Sequence, residues 1–142
     1  MYKNILLTVD LSDDASWSKA VPTAVEMCQA FGAELHLLTV IPDMGTPLVE
    51  EYFPENFEAE VAKGAAAKIA DFANGQFPSD LKPNVHIGSG SIYKEILRVS
   101  KEINADVIVM ASHRPELSDY LLGPNAARVV RHANCSVMVV RD

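Results

Sequence analysis

The sequence has few cysteines, few basic residues and no long apolar run, and each shortage argues against a class of protein. Cys28 and Cys135 form no Cys-x-x-Cys pair and have no histidine at zinc-ligand spacing, so we expect two core residues in a reducing compartment. Twelve basic against nineteen acidic residues give a net charge of −7, which repels nucleic acid and anionic membranes. No apolar signal core or transmembrane-length run is present, so we expect a cytoplasmic protein with no nucleic-acid or membrane partner.

The chain is instead rich in short apolar runs separated by helical patterns. Its 142 residues, 49% of them hydrophobic, suit one globular domain spanning 1–142. Uninterrupted apolar residues at 107–110 indicate a strand buried on both faces, beside which we expect the first strand to lie. Long helical crossovers favour parallel strands, so the sequence predicts a single doubly wound α/β domain with a five-stranded parallel sheet and four helices. The predicted strands are 5–9, 35–41, 85–87, 107–110 and 137–140.

Prolines, glycines and one serine mark the boundaries of the predicted elements. Pro22 should kink the first helix or mark a late start, and Gly32 is placed to end it. Ser91 is the expected N-cap of the third helix, and Pro124 suits the first turn of the fourth. Three prolines between 42 and 54 predict a long surface loop over the edge where the first strand ends.

The loop between the fourth strand and the fourth helix, 111–125, is the first candidate for a functional site. Ligands of open parallel sheets bind where loops leave the carboxyl ends of strands, and a helix N-terminus offers N–H groups to an anion. His113 is its one histidine, but the adjacent Ser112 points away in an extended loop, which disfavours Ser–His catalysis. The four histidines have no spacing that supports a metal site.

Known phosphate-binding signatures of nucleotide enzymes are absent from the sequence. No Gly-x-x-x-x-Gly-Lys-Ser/Thr loop occurs, and Gly88-x-Gly90 lacks the third glycine of the dinucleotide fingerprint. ATP hydrolysis needs a metal, a positioned water and a cation aimed at the transition state, and only fragments of that set are visible. We therefore do not expect an enzyme.

Several segments distributed along the whole chain carry a family resemblance: Ile5-Leu-Leu-Thr-Val-Asp10, Leu37-Leu-Thr-Val-Ile-Pro42, Gly90-Ser91, Ala111-Ser-His-Arg-Pro115, Leu121-Leu-Gly-Pro-Asn-Ala126 and Arg131-His-Ala-Asn-Cys-Ser-Val-Met-Val-Val140. Together they resemble the universal stress protein family, and the resemblance covers essentially the whole chain. It is most similar to the small bacterial type with a Ser-His-Arg-Pro loop and a Leu-Leu-Gly-x-Asn-Ala helix start. The resemblance implies strand order 3-2-1-4-5, dimerisation and, in many members, ATP or another adenine nucleotide, with or without Mg²⁺, bound without known turnover.

The resemblance also assigns candidate nucleotide-binding residues. Asp10 would contact the adenosine part of the ligand, although it could equally cap the helix that starts near Ser12. The backbone of Val40 would bond the adenine ring, and Met110 would line the base pocket. The whole predicted set is Thr8, Val9, Asp10, Val40, Met110, Ala111, Ser112, His113, Arg114, Gly123, Pro124, Asn125 and Ala126.

The phosphate-binding part departs from the family pattern of Gly-x-x-Gly, nine residues, then Gly and Ser or Thr. Ala111 and Arg114 replace the two early glycines, and eight residues intervene before Gly123. Pro124 then lacks both the hydroxyl and the N–H that would donate to a phosphate. Arg114 either compensates through bidentate binding of phosphate or is a solvated loop charge.

The last predicted strand, Val137–Val140, is a strongly apolar edge strand with no helix after it. Such an edge invites pairing with a second copy, so we expect a homodimer through it. The main rival function is a nucleotide-free dimeric scaffold that acts through a protein partner. A phosphoacceptor receiver domain is disfavoured, because no lysine ends a predicted strand and Ile87 is followed by Gly and Ser.

Overall fold

The computed structural model describes residues 1–42, 57–112 and 123–141. Five strands and four α-helices alternate along these residues, with one turn of 3-10 helix at Asp14–Ser16. His113, Arg114 and the predicted loop at 43–54 lie outside the described residues. The strands are β1 (Asn4–Thr8), β2 (Glu34–Pro42), β3 (Asn84–Gly90), β4 (Val107–Ala111) and β5 (Ser136–Val140), and the helices are α1 (Ala20–Phe31), α2 (Phe57–Gly75), α3 (Ile92–Glu102) and α4 (Pro124–His132).

All five strands run parallel in one sheet, in the order β3-β2-β1-β4-β5. This confirms the predicted fold class and strand order, including the pairing of β1 with β4. Ile5, Leu6 and Leu7 are fully buried, as is Ile108 opposite Leu6. The central strands are therefore covered on both faces, which explains the apolar runs at 5–7 and 107–110.

Each face of the sheet carries two helices, because successive residues of a strand point to opposite sides. Leu7 and Val109 belong to the core that packs against α1 and α2. Leu6 and Ile108 belong to the core that packs against α3 and α4. The chain therefore leaves β1 toward one face of the sheet and leaves the neighbouring β4 toward the other.

The predicted boundaries of α1 and α3 are correct, although the Ser91 side chain makes no capping bond to α3. Pro22 is the third residue of α1, so the late start is correct, and its missing N–H falls where a helix has no internal partner. Gly32 ends α1 in the left-handed conformation, with φ +65°. Ser91 occupies the N-cap of α3 without a side-chain capping bond; instead the Glu95 carboxylate accepts the N–H of Ser89 at 3.1 Å.

The two cysteines are free thiols on opposite sides of the sheet. Cys28 is a core residue, as predicted, and burial raises the pKa of its thiol to about 11. Cys135 is half-buried against the other core, and burial raises its pKa as well. None of the described helices is long and apolar enough to cross a membrane.

Candidate functional site

A cavity of about 300 Å³ opens at the edge where β1, β2 and β4 end. Parallel strands end at one edge, and here the chain leaves β1 and β4 toward opposite faces, which is where open α/β sheets form ligand crevices. Eleven of the thirteen predicted residues line this cavity, and the other two, His113 and Arg114, lie outside the described residues. The eleven are Thr8, Val9, Asp10, Val40, Met110, Ala111, Ser112, Gly123, Pro124, Asn125 and Ala126.

Asp10 forms one rim of the cavity and is fixed by two serines. Its carboxylate Oδ1 accepts the N–H of Ser12 at 3.0 Å and the Ser12 hydroxyl at 2.7 Å. Its own N–H donates to Ser16 Oγ at 2.8 Å, and that hydroxyl donates back to the Asp10 carbonyl at 2.8 Å. The N-cap of the 3-10 helix is Asp13, which accepts the N–H of Ala15, so Asp10 does not cap that helix.

The first turn of α4 forms the opposite side of the cavity. Gly123 is the N-cap, makes no side-chain capping bond, and donates its own N–H to Ser112 Oγ at 3.4 Å. Ala127 is the first residue whose N–H bonds back to the Gly123 carbonyl. The N–H groups of Asn125 and Ala126 therefore have no partner within the helix and lie beside the cavity. Pro124 contributes no N–H and Gly123 donates its own to Ser112, so two of the four N–H positions at this helix end remain as donors.

The floor of the cavity is apolar. Val40 and Met110 come from the ends of β2 and β4, while Ile92 and Ile96 come from α3. Sequence reasoning missed both isoleucines, as well as Ser12 and Ser16. The sequence did contain a signal for the isoleucines. Ser91 starts α3 where β3 ends, so the first turns of α3 lie at the same edge of the sheet as the cavity. The site thus combines an apolar floor, a carboxylate at one end and two N–H groups at the other, which suits a flat heteroaromatic group joined to hydroxyls and an anion.

Two histidines meet away from this cavity, which their spacing in the sequence did not indicate. His36 on β2 and His86 on β3 bring Nδ1 and Nε2 to 2.9 Å, with the rings stacked. Burial lowers the pKa of both, and for His36 the neighbouring imidazole lowers it further. Across the described ranges, no three His, Cys, Asp or Glu side chains converge to hold a metal ion.

Comparison with known proteins places the chain in a family. Residues 1–141 match the model of the universal stress protein family. Universal stress protein G of Escherichia coli O157:H7 is 34% identical over 147 aligned residues, which cover 99% of this chain and all of the relative. Universal stress protein UspA from Lactobacillus plantarum is 28% identical, with a TM-score of 0.68 and coverage of 99% of this chain and 98% of that one.

A further solved structure, a universal stress protein in complex with cAMP, shares the fold. It is 19% identical, with a TM-score of 0.63, and the match covers 99% of this chain and 97% of that one. At that identity the likeness concerns the fold alone. The family match and the curated relative, each spanning nearly the whole chain, carry the assignment: this chain belongs to the universal stress protein family.

Proposed function

We propose that the protein is a cytoplasmic, dimeric stress-response module that binds an adenine nucleotide in the cavity at the carboxyl edge of the sheet, without turning it over. The observation that carries the proposal is the convergence of separate chain segments on one cavity with an apolar floor, a carboxylate rim and an open helix N-terminus. Ligand binding would change how the protein interacts with a partner.

Each part of an adenine nucleotide has a complementary surface in the cavity. The base lies on Val40 and Met110, where the backbone of β2 ends. A ribose hydroxyl donates to Asp10 Oδ2, because Oδ1 is already engaged by Ser12. A phosphate accepts the N–H groups of Asn125 and Ala126, which also lie at the positive end of the α4 dipole.

Pro124 favours a ligand with few phosphates. Hydrogen bonds to charged groups contribute about 1.5–3 kcal/mol each, and proline removes both a main-chain and a hydroxyl donor from this site. The relative with cAMP supports the idea that this fold accepts an adenine mononucleotide. We also include ATP, with or without Mg²⁺, among the proposed ligands. For ATP, the Arg114 guanidinium would compensate for the donors that Pro124 removes.

Calorimetric titration with ATP, ADP, AMP and cAMP, each with and without Mg²⁺, tests the proposal. We expect saturable binding that Asp10→Ala weakens and that Lys63→Gln, on α2, leaves unchanged. Chromatography of the incubated nucleotide should show no product. Absence of binding by all four nucleotides at millimolar concentration would overturn the ligand part.

A nucleotide-free dimeric scaffold is the second candidate, and the observation that favours it is the substitution at three family positions, Ala111, Arg114 and Pro124. Nucleotide that co-purifies with the protein distinguishes the two functions. It would be detected as excess absorbance near the adenine maximum and identified by mass spectrometry of the denatured sample. A bound adenine nucleotide supports the first proposal, and a nucleotide-free protein that also fails the titration supports the scaffold.

A further inference from the structure

A second concave surface lies on the outer side of α3 and α4. This surface, called the arginine groove below, is an open depression of about 440 Å³ lined by Tyr93, Ala127, Arg128, Arg131 and His132. It shares no lining residue with the nucleotide cavity. The helix period explains the separation, because Ala126 and Val129 face the core while Arg128 and Arg131 are exposed.

The aromatic ring of Tyr93 organises the groove. The guanidinium carbon of Arg128 lies 5.1 Å from the centre of that ring, within cation–π distance. The imidazole of His132, one turn further along α4, lies 6.3 Å from the same ring at a tilt of 31°. Tyr93 therefore restricts the conformations of Arg128, and a pre-positioned guanidinium loses less entropy when it binds an anion.

The arginine groove is positively charged, whereas the chain as a whole is negatively charged. None of its lining residues is acidic, although the protein has a net charge of −7. On α3, Arg98 is paired with Glu95 and Glu102, whereas no carboxylate of the described residues pairs with Arg128 or Arg131. Arg131 lies in the last turn of α4 and stabilises its dipole, but Arg128 lies a turn earlier, where that explanation does not apply.

We propose that the arginine groove binds a short acidic segment of a partner protein. Arginines recognise carboxylates and phosphoryl groups through bidentate hydrogen bonds, and clusters of arginines are a recurring way to bind acidic or phosphorylated motifs. Arg128 and Arg131 bind two acidic groups of the segment, and Tyr93 packs against the chain between them. The strongly negative remainder of the protein repels a long polyanion, so a compact acidic stretch fits better than nucleic acid.

Fluorescence anisotropy of a labelled peptide of alternating Glu and Ala, titrated with the protein at low salt, tests the proposal. A second peptide carries one phosphoserine in place of a glutamate. We expect Arg128→Gln and Arg131→Gln each to weaken binding about tenfold or more, since each removes a charge-assisted contact. Tyr93→Leu should weaken binding and Tyr93→Phe should not, because the ring and not the hydroxyl positions Arg128.

Lys63→Gln is the matched control, because it removes one exposed positive charge on the opposite face of the sheet. An equal loss of affinity in Lys63→Gln, no binding of either peptide at millimolar concentration, or tighter binding of a single-stranded RNA would each overturn the proposal. Circular dichroism melting of each variant separates lost affinity from lost structure. The nucleotide titration is a separate measurement, so the failure of one site does not imply the failure of the other.

Discussion

A single proline sets how many donors the cavity at the carboxyl edge of the sheet offers to an anion. Pro124 starts α4 and suits its first turn, but it removes one main-chain N–H and the hydroxyl that the family pattern places there. The side chain that favours the helix start is therefore the one that weakens the anion site. This conflict was visible in the sequence, because it depends on residue type and position alone.

Restoring these donors should strengthen nucleotide binding. We expect Pro124→Ser, which returns both the N–H and a hydroxyl, to raise the affinity for ATP about tenfold or more, and Pro124→Ala, which returns the N–H alone, to raise it less. Calorimetry measures both. Adenosine is the matched ligand control, since without a phosphate it should bind the three proteins equally. An unchanged or lower affinity for ATP in Pro124→Ser would contradict this account of the helix end.

The contact between His36 and His86 in the folded protein opposes protonation of their two imidazoles. Their nitrogens are 2.9 Å apart, so a proton on each imidazole would place two positive charges in contact. Burial lowers the pKa of both; Glu34 opposes the effect at His36, while at His86 Glu102 opposes it and Arg98 adds to it. The folded state therefore binds fewer protons than the unfolded chain at mildly acidic pH.

Stability should consequently fall as the pH is lowered through the ordinary histidine value of 6.5. Below that value the unfolded chain takes up protons that the folded chain does not, so unfolding becomes more favourable. Urea unfolding midpoints between neutral and mildly acidic pH measure the effect. His86→Gln keeps a hydrogen-bonding partner for His36 but does not titrate, so we expect a shallower pH dependence. The same dependence in that variant would assign the effect to other groups.

At the scale of elements, a close contact joins the end of β3 to the first turn of α3. A Cβ atom added at Gly88 would lie 3.1 Å from the Glu95 Cβ and 3.3 Å from its Oε1. Glu95 also accepts the N–H of Ser89 and pairs with Arg98, which lowers the pKa of its carboxyl. Gly88 is therefore the residue that lets Glu95 bond to the end of β3.

Two glycine-to-alanine changes should have opposite effects on stability. Gly88→Ala should lower the free energy of unfolding by about 1–3 kcal/mol, because Glu95 must move. Gly64→Ala, in α2, should raise it by about 0.5–1 kcal/mol, since a Cβ there meets nothing within 4 Å and alanine favours the helix. Both changes affect the unfolded chain similarly, so urea denaturation reports the native surroundings. Equal effects of the two changes would show that the contact with Glu95 does not matter.

The sequence predicted the elements better than it predicted where they end. Ile5 to Leu7 and Val107 to Met110 are unbroken apolar runs because both faces of β1 and β4 are buried there, and this burial leaves a clear signal. β3 extends three residues beyond the predicted 85–87, to Gly90, because Gly88, Ser89 and Gly90 pair with β2 through the main chain. Small and polar side chains carry little information about such pairing.

Contacts between distant elements were the part that the sequence could not predict. His36 and His86 meet because β2 and β3 adopt a particular register after a long helical crossover, and side-chain spacing along the chain does not encode that register. Ile92 and Ile96 belong to the cavity because α3 and α4 share one face of the sheet. By contrast, the residues at the carboxyl ends of β1, β2 and β4 followed from topology once the family resemblance had fixed the strand order.

At the scale of the whole molecule, β5 is an edge strand of the sheet, and among the described residues no strand pairs with its outer side. Ser136 donates its N–H to the Asp106 carbonyl, and the Val140 carbonyl accepts from Ser112, so both residues direct their main chain toward the β4 side. Alternate residues of a strand point their main-chain groups to opposite sides, which turns those of Val137 and Val139 outward. Met138 is also 38% exposed. The proposed homodimer would form through this edge.

Removing one outward N–H should separate the two copies without unfolding either. Val139→Pro deletes a donor that faces away from β4, a position at which an edge strand tolerates proline. We expect this variant to be monomeric by light scattering coupled to size-exclusion chromatography. Val139→Ala keeps the N–H and should remain dimeric. A dimeric but folded Val139→Pro variant would place the interface elsewhere, and a monomeric parent protein would remove the dimer from the proposal.

The nine-residue helix α4 contributes residues to two separate surfaces. Asn125 and Ala126 line the cavity at the carboxyl edge of the sheet, and Arg128 and Arg131 line the arginine groove. The two surfaces therefore lie within about 13 Å of each other along one helix. A displacement of the first turn by a bound anion would also displace the guanidinium groups on the same helix. If both proposed ligands bind, the factor by which a nucleotide changes the affinity for an acidic peptide must equal the factor by which the peptide changes the affinity for the nucleotide.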